Sequence, residues 1–241
     1  MDLQLFFWAL IAEIAWTISG FWSSSIFLPI ANQFLDYRNA IVLVAIYHIF
    51  GNISRLSLFW RNWNKSIFFL FGIPSVFATV LWVSLITLID TNILKFFLWI
   101  ILFIFSLYLF INPQFHIKPS PTIWRIGWFV SWFLAGIIGT GGILRWAFLT
   151  IFNLPKEQYI ATIASIALLV DLTRIPLYFG QGFLHYDYLI YIPILFIIAF
   201  IGSYIGKKII AKIEQKILKK IILIAIMILS LFLSYQWMQM L

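Results

Sequence analysis

The chain has 241 residues, of which 63% are hydrophobic and only 10% are charged, and its formal net charge is +8. A soluble domain of this length cannot bury so much apolar surface, so the composition excludes the soluble globular classes. The absence of cysteine excludes thiolate metal sites, and the three histidines (His48, His116 and His185) lack metal-ligand spacing, so no metal is expected. In so apolar a chain, lysines are expected to cluster at membrane edges, where anionic lipid is a simpler partner than nucleic acid.

Six apolar runs predict membrane-spanning helices. Each is about 18–24 residues long, which is enough to cross about 30 Å of hydrocarbon. In chain order the runs are 39–60, 66–89, 93–111, 158–179, 187–206 and 217–238. The fourth run is interrupted by Asp171 and Arg174. Continuous apolar runs predict helices, because barrel strands would alternate over about ten residues.

Two further segments, 5–35 and 126–152, are apolar but are broken near the middle by small residues. Each is either one long, kinked span or a hairpin of two half-helices that returns to its own side. A half-helix of about 12 residues rises about 18 Å, so it reaches only the middle of the membrane. The sequence therefore predicts an all-α polytopic membrane protein of about eight membrane segments, two of them broken or re-entrant.

An internal repeat appears when the chain is shifted along itself by 116–119 residues. The matched positions include Trp16 and Trp132, Asn52 and Asp171, Arg55 and Arg174, and Pro74 and Pro193. We therefore expect two homologous halves of four segments each, 1–111 and 125–241, joined by a polar linker at 112–124. Such duplication is common in transporters, where the site forms between the halves, although structural membrane proteins duplicate too.

The loop charges favour halves that are inverted relative to each other. Cytoplasmic loops collect Lys and Arg, and their excess on one side is larger if both opening segments are re-entrant. Corresponding loops also differ, because Arg61-Asn-Trp-Asn-Lys65 is basic while its counterpart at 180–185 has no Lys or Arg. Both topologies place both chain termini outside the cytoplasm.

The stretch GIIGTGGILRW at 136–146 combines four glycines with an arginine in an apolar region. A glycine turn that opens a half-helix presents several backbone N–H groups to one point and attracts an anion. The serine run at 23–25 supplies hydroxyl donors at the matching place in the first half. Close helix packing at small residues is the alternative. The candidate substrate-binding residues are Ser23, Ser24, Ser25, Gly139, Thr140, Gly141, Gly142 and Arg145, together with Arg55 and Arg174.

Arg55 and Arg174 recur at matched positions, each three residues after Asn52 or Asp171. A charge inside the membrane costs about 2.5–3.5 kcal/mol on insertion scales, so its presence suggests a use. The arginines either draw anions toward the site or snorkel to the interface. Asp171 either pairs with Arg174 across one helical turn or carries a coupled proton.

Together with Asp171, Glu13 and His48 are the candidates for carrying a proton that is coupled to transport. For Glu13 the alternative to proton transfer is structural pairing. For His48, which lies within run 39–60, the alternative is ordinary packing.

The motifs of common enzymes are absent from the chain. It has no G-x-S-x-G, no H-E-x-x-H, no phosphate loop and no pair of close carboxylates. We therefore expect neither catalysis nor a cofactor. Energy for transport would come from the substrate gradient or the proton motive force.

A glycine-rich turn, a short apolar helix, an Ala/Thr/Ser-rich span and a loop ending in glycine follow one another in the second half. They are Gly136-x-x-Gly139-x-Gly141-Gly142, the helix before Leu154-Pro155, the span with Ala161-Thr162 and Ala164-Ser165, and Tyr178-x-x-Gly-x-Gly182. This pattern resembles the TauE/SafE family of sulfite exporters, which carries it twice. The first half follows the outline more loosely, with serines in place of the glycine turn. Arg145-Trp146 stands near where the family commonly has an apolar residue and proline.

The resemblance implies export or uptake of sulfite, sulfonates and related small anions. We therefore expect a secondary transporter, an exporter of such anions, that works by alternating access in the cytoplasmic membrane of a bacterium. An anion channel and a non-transporting membrane subunit or assembly partner are the alternatives. The expected partners are an inorganic or sulfonated anion and the lipid bilayer, with a homodimer as a further option and no nucleic acid.

Overall fold

The structure, a computed structural model, describes residues 3–19, 27–31, 33–85, 92–112, 149, 152, 154–183 and 185–238. Within these ranges the chain is helical and forms no strand. The helices are α1 Leu3–Ser19, α2 Leu28–Ala31, α3 Tyr37–Phe59, α4 Lys65–Leu85, α5 Asn92–Ile111, α6 Lys156–Gly180, α7 Tyr191–Lys212 and α8 Gln215–Met238. Two 3₁₀ helices, η1 Trp60–Asn62 and η2 Tyr186–Ile190, follow α3 and precede α7.

The all-helical prediction is confirmed for the described residues. The six apolar runs coincide in chain order with α3 to α8. Within the described part, three helical stretches are long and apolar enough to cross a membrane: Arg38–Asn62, Lys156–Gly180 and Tyr186–Lys212. Of the linker at 112–124 only Asn112 is described, and of segment 126–152 only Leu149 and Phe152. The count of eight segments in two repeats stays a prediction.

The chain divides into two compact units. The first combines Met1–Phe68 with Lys156–Ile213, and the second combines Phe69–Pro155 with Glu214–Leu241. Each unit thus draws residues from both predicted halves, 1–111 and 125–241, and the division into two repeats stays a prediction. The first unit contains α1, α2, α3, α6 and α7, and the second contains most of α4 together with α5 and α8.

In the first unit, α1 and α3 run in the same direction. Tyr47 Oη donates a hydrogen bond to Ala9 O (2.7 Å). About two turns further along both helices, Arg55 Nη1 donates to Thr17 Oγ1 (3.1 Å). The start of α3 therefore lies at the end of the unit where α1 begins.

Helix α6 runs opposite to α3. The backbone N–H of Asn64, just beyond α3, donates to Thr162 Oγ1 near the start of α6 (3.1 Å). At the other end, His185 N, just beyond α6, donates to Asn39 Oδ1 near the start of α3 (2.7 Å). The end of each helix therefore packs beside the start of the other, and their middles face each other.

An apolar core joins the first halves of α1, α3 and α7 with α2. The rings of Phe27 and Tyr47 lie 5.3 Å apart, and those of Phe6 and Tyr191 lie 5.6 Å apart. The buried residues of this core are Leu5, Phe6, Ala9, Ala12, Phe27, Ala31, Leu35, Ala40, Leu43, Val44, Tyr47, Leu195 and Ala199. On α1 the core ends at Ala12, and the next residue is the acid Glu13.

Helix α6 ends in a glycine cap that accounts for the Tyr178-x-x-Gly-x-Gly182 pattern. Gly182 has a φ of +69°, its N–H donates to Phe179 O (3.0 Å), and Phe183 N donates to Tyr178 O (3.2 Å). The rings of Tyr178 and Phe183 stack at 5.7 Å. This is a Schellman-type cap, whose left-handed position favours glycine.

Polar side chains cap helices at both ends of the first unit. Asp36 precedes α3, and its Oδ1 accepts hydrogen bonds from Arg38 N (3.1 Å) and Asn39 N (3.2 Å). The side-chain amide of Asn39 also donates to Asp36, and this bond is the main reason that the pKa of Asp36 lies below its usual value. At the other end, Lys156 Nζ donates to the last carbonyls of α7, including Ile210 O (3.0 Å).

The second unit is centred on α5 and α8. Leu109 of α5 and Leu223 of α8 are buried together. The ring of Phe71 on α4 lies edge-on to Phe152, with centroids 6.1 Å apart. Polar side chains of this unit bond to nearby backbone, as where Thr79 Oγ1 donates to Ser75 O (2.6 Å) and Asn112 Nδ2 donates to Tyr108 O (3.1 Å).

Candidate functional site

A buried ion pair joins α1 to α3. Glu13 is 0% exposed and Arg55 is 1% exposed. Glu13 Oε1 accepts hydrogen bonds from Arg55 Nη1 and from Ser203 Oγ of α7, the latter at 2.6 Å. Arg55 Nη1 also donates to Thr17 Oγ1 (3.1 Å). One carboxylate oxygen therefore connects three helices.

Glycines give this pair the space it occupies. A Cβ atom added at Gly51 would lie 2.6 Å from both Glu13 Oε1 and Arg55 Nη2. On α7, a Cβ at Gly202 would lie 2.7 Å from Glu13 Cβ, and one at Gly206 would lie 2.6 Å from Thr17 Cβ. Small residues thus let α1 and α7 approach closely, as in other membrane helix pairs.

A second ion pair lies on α6. Arg174 Nη2 and Asp171 Oδ1 are 2.7 Å apart, and the two residues are three positions apart on one helix. His48 Nδ1 of α3 lies 3.4 Å from Arg174 Nη2 and 3.9 Å from Asp171 Oδ2. The geometry of the Asp171–Arg174 pair is the i, i+3 contact considered from the sequence.

Asn52 connects the two pairs. Its Nδ2 donates to Asp171 Oδ2 (3.1 Å), and its Oδ1 accepts from Arg55 Nη2 (3.4 Å). Asn52 and Asp171 are also positions that the predicted repeat matches. The polar cluster of Glu13, Arg55, Asn52, Asp171, Arg174, His48 and Ser203 therefore lies where the middles of α3 and α6 meet.

Trp16 forms an aromatic wall of this polar cluster. The Arg55 Cζ atom lies 3.1 Å from the centroid of the Trp16 ring, and the His48 ring stacks on Trp16 at 5.3 Å and 22°. A guanidinium over an indole gains cation–π attraction, which is larger when water is excluded. Within the described part, Trp16 Nε1, Arg55 Nε and Glu13 Oε2 have no hydrogen-bond partner.

The polar cluster contains two carboxylates and two guanidiniums, so its formal charges balance. Removing one partner of a buried pair typically costs about 3–5 kcal/mol, because it leaves an uncompensated charge. Such a cluster is held together tightly while both pairs are intact. It becomes sensitive to any event that neutralises one member.

The structure brings five of the predicted residues together: Glu13, His48, Arg55, Asp171 and Arg174. Arg55 is held inside the unit by Glu13 and does not extend to the membrane surface. The glycine turn and serine run, which are Ser23, Ser24, Ser25, Gly139, Thr140, Gly141, Gly142 and Arg145, lie outside the described residues. Within the described ranges, no three His or acidic side chains are grouped to hold a metal ion.

Four members of the site were not assigned from the sequence: Thr17, Trp16, Asn52 and Ser203. Asn52 and Trp16 did appear as matched positions of the repeat. For Ser203 the available signal was its place beside Gly202 and before Gly206, which marks a close helix contact. The partner of that contact, α1, is distant in the sequence.

A family described as sulfite exporter TauE/SafE matches residues 5–233. No curated protein and no solved structure matches the chain.

Proposed function

The chain belongs to the TauE/SafE sulfite exporter family, a family of membrane transporters, and from that premise we propose that it exports small anions such as sulfite or organosulfonates. It is a multi-pass membrane protein of a transporter family rather than of an enzyme family. We propose secondary transport by alternating access, driven by the substrate gradient or the proton motive force. The observation that carries this proposal beyond the family is the buried, charge-balanced polar cluster at the point where matched helices meet.

The helix directions support inverted repeats with a re-entrant opening. Helices α3 and α6 are matched in the repeat, and they run in opposite directions. Because α1 and α3 run in the same direction, segment 5–35 begins and ends on one side of the first unit. A hairpin satisfies that requirement, whereas a single kinked span would make α1 and α3 antiparallel.

The distribution of charge supports an orientation with the end of α3 in the cytoplasm. Bonds from Lys207 Nζ to Leu58 O (3.3 Å) and from Asn64 N to Thr162 Oγ1 (3.1 Å) gather the basic ends of the helices on one side. The cations at this end are Arg61, Lys65, Lys156, Lys207, Lys208 and Lys212. By the positive-inside rule this end faces the cytoplasm, which fits the cytoplasmic membrane of a bacterium.

The proposed roles divide among three groups of residues. Backbone N–H groups at 139–142, the hydroxyls at 23–25 and Arg145 would hold the anion. Arg55 and Arg174 would attract it, and Glu13, Asp171 and His48 are the candidates to carry a coupled proton. Each arginine is already paired with a carboxylate, so an anion can bind to it only by competing with that acid. This competition supports a role of the acids in coupling proton movement to anion movement.

The experiment that tests this function is sulfite flux in proteoliposomes, for wild type beside Arg145→Ala and Gly141→Leu. Glu157→Gln is the matched control, because Glu157 lies at the membrane edge and outside the polar cluster. Saturable, counterflow-competent flux that both site variants lose and the control keeps supports the proposal. Flux without saturation or counterflow indicates a channel. No flux of sulfite or sulfonates by folded wild type indicates a non-transporting partner.

A further inference from the structure

We propose that Glu13 carries the coupled proton and that the transported anion replaces its carboxylate on the guanidinium of Arg55. This inference rests on the proposed function as an anion transporter. When an anion with one negative charge takes the place of the carboxylate, Glu13 accepts one proton from water. The polar cluster keeps its net charge, and proton and anion cross the membrane in the same direction. An inward proton gradient then favours uptake, so export in this scheme is driven by the outward gradient of the anion.

The first support is that Glu13 ties separate helices together. Its Oε1 accepts hydrogen bonds from Arg55 on α3 and from Ser203 on α7, while Glu13 itself belongs to α1. Protonation removes the ionic attraction across this junction, so it can change how α1 is held. Asp171 and Arg174 both lie on α6, so protonation of Asp171 breaks an ion pair within one helix.

The second support is unused bonding capacity at the Glu13–Arg55 pair. Glu13 Oε2 and Arg55 Nε have no hydrogen-bond partner among the described residues. Oε2 can therefore take a proton without first losing a hydrogen bond to any of the described residues. The planar guanidinium offers several donors that suit carboxylate, sulfite and sulfonate oxygens alike, so one oxyanion can replace another on it.

The third support is the set of charged and titratable groups around Glu13. On the described helices these are Arg55, Tyr47 and His48 of α3, Lys207 of α7, and Asp171 and Arg174 of α6 beyond Asn52; α2 contributes none. Of the nearby cations, Arg55 donates a hydrogen bond to Glu13, whereas Lys207 Nζ donates to a backbone carbonyl, Leu58 O (3.3 Å). The charge of Glu13 is thus compensated mainly by one group, the guanidinium of Arg55, to which a transported anion can bind instead.

The test uses the full chain in proteoliposomes and radiolabelled methanesulfonate, whose single charge does not change near neutral pH. A gradient of one pH unit, alkaline inside, should accumulate the anion about tenfold in wild type, as one-to-one coupling requires. Glu13→Gln should lose this accumulation and keep anion exchange at equal pH. Glu157→Gln, an acid-to-amide change outside the polar cluster, should keep both.

Ser203→Ala provides a second variant in case Glu13→Gln does not fold. It removes one hydrogen bond to the Glu13 carboxylate, so half-maximal uptake should move upward by about one pH unit. Wild-type flux that ignores the gradient, accumulation that survives in Glu13→Gln, or an unchanged pH profile in Ser203→Ala would overturn the inference alone. If wild type carries neither methanesulfonate nor sulfite, the proposed function fails and this inference fails with it.

Discussion

The first unit contains two arginine–carboxylate pairs whose arginines, Arg55 and Arg174, are matched by the predicted repeat, but the two pairs are built differently. Three residues before Arg174 stands Asp171, so that pair forms within one helix. Three residues before Arg55 stands Asn52, so Arg55 takes its partner, Glu13, from another helix. The side chain of Arg55 is 2% exposed and that of Arg174 is 16% exposed. One pair therefore joins two helices, whereas the other joins two residues of a single helix. The reason is that the first half has Asn52 where the second has Asp171, and that α1 supplies Glu13.

The largest effect is expected from Arg55→Gln. This change leaves the carboxylate of Glu13 buried without its cation and should lower the free energy of unfolding by about 3–5 kcal/mol. The matched change, Arg174→Gln, should cost about 1–3 kcal/mol, because Asp171 keeps the hydrogen bond from Asn52. Unfolding in mixed micelles with increasing dodecyl sulfate measures both. Equal losses would show that the two pairs do not differ in the way described.

A smaller effect is expected from crowding one pair without removing a charge. Gly202→Ala places a Cβ atom 2.7 Å from Glu13 Cβ, so α1 must shift away from α7. Such overpacking typically costs about 1–3 kcal/mol. Gly180→Ala is the control, since a Cβ there meets no atom within 4 Å. If the two alanine variants unfold together in the same micelle titration, the close approach of α1 to α7 is not needed for stability.

The next comparison replaces each acid by its amide and measures transport. Asp171→Asn should still accumulate methanesulfonate in response to a pH gradient, even where its rate falls. Glu13→Gln should lose a tenfold accumulation, which corresponds to about 1.4 kcal/mol per pH unit. If Asp171→Asn loses accumulation and Glu13→Gln keeps it, the proton-carrying residue is Asp171 and not Glu13.

The smallest effect is expected at Asp36, an acid that belongs to neither pair. Asp36→Ala removes the cap of α3 and should cost about 1 kcal/mol at neutral pH. Hydrogen bonding from Asn39 lowers the folded-state pKa of Asp36, so its contribution is complete above the unfolded-state pKa of about 3.9 and is lost as the pH falls through the folded value. The free energies of unfolding of wild type and Asp36→Ala, measured at neutral and at acid pH, should therefore become equal at low pH. A difference that persists in acid would exclude the capping carboxylate as its cause.

The helices could be predicted because each one carries its own signal. Six continuous apolar runs became α3 to α8, since lipid cannot satisfy a backbone that leaves its hydrogen bonds unpaired. The glycine cap of α6 was also visible, as part of the Tyr178-x-x-Gly-x-Gly182 pattern. The resemblance to the TauE/SafE family came from such local patterns and is confirmed by the family match.

The site could be predicted in part, residue by residue. Charged side chains in apolar runs are conspicuous, so Glu13, Arg55, Asp171 and Arg174 were all identified. Ser203 was not, because a serine in a membrane helix is ordinary until its neighbour is known. The roles given to the glycine turn and the serine run stay predictions, since those residues lie outside the described ranges.

By itself, the sequence determined that this is an α-helical membrane protein and which side chains carry charge within its apolar segments, and it predicted that the halves repeat. Hydropathy, spacing and composition are properties of single segments, so they can be read without the fold. Only the tertiary structure decided that Arg55 pairs with Glu13, that Ser203 completes the junction, and that Asn52 meets its own counterpart Asp171. These contacts join residues 42, 190 and 119 positions apart, and such pairings depend on the directions in which helices pack.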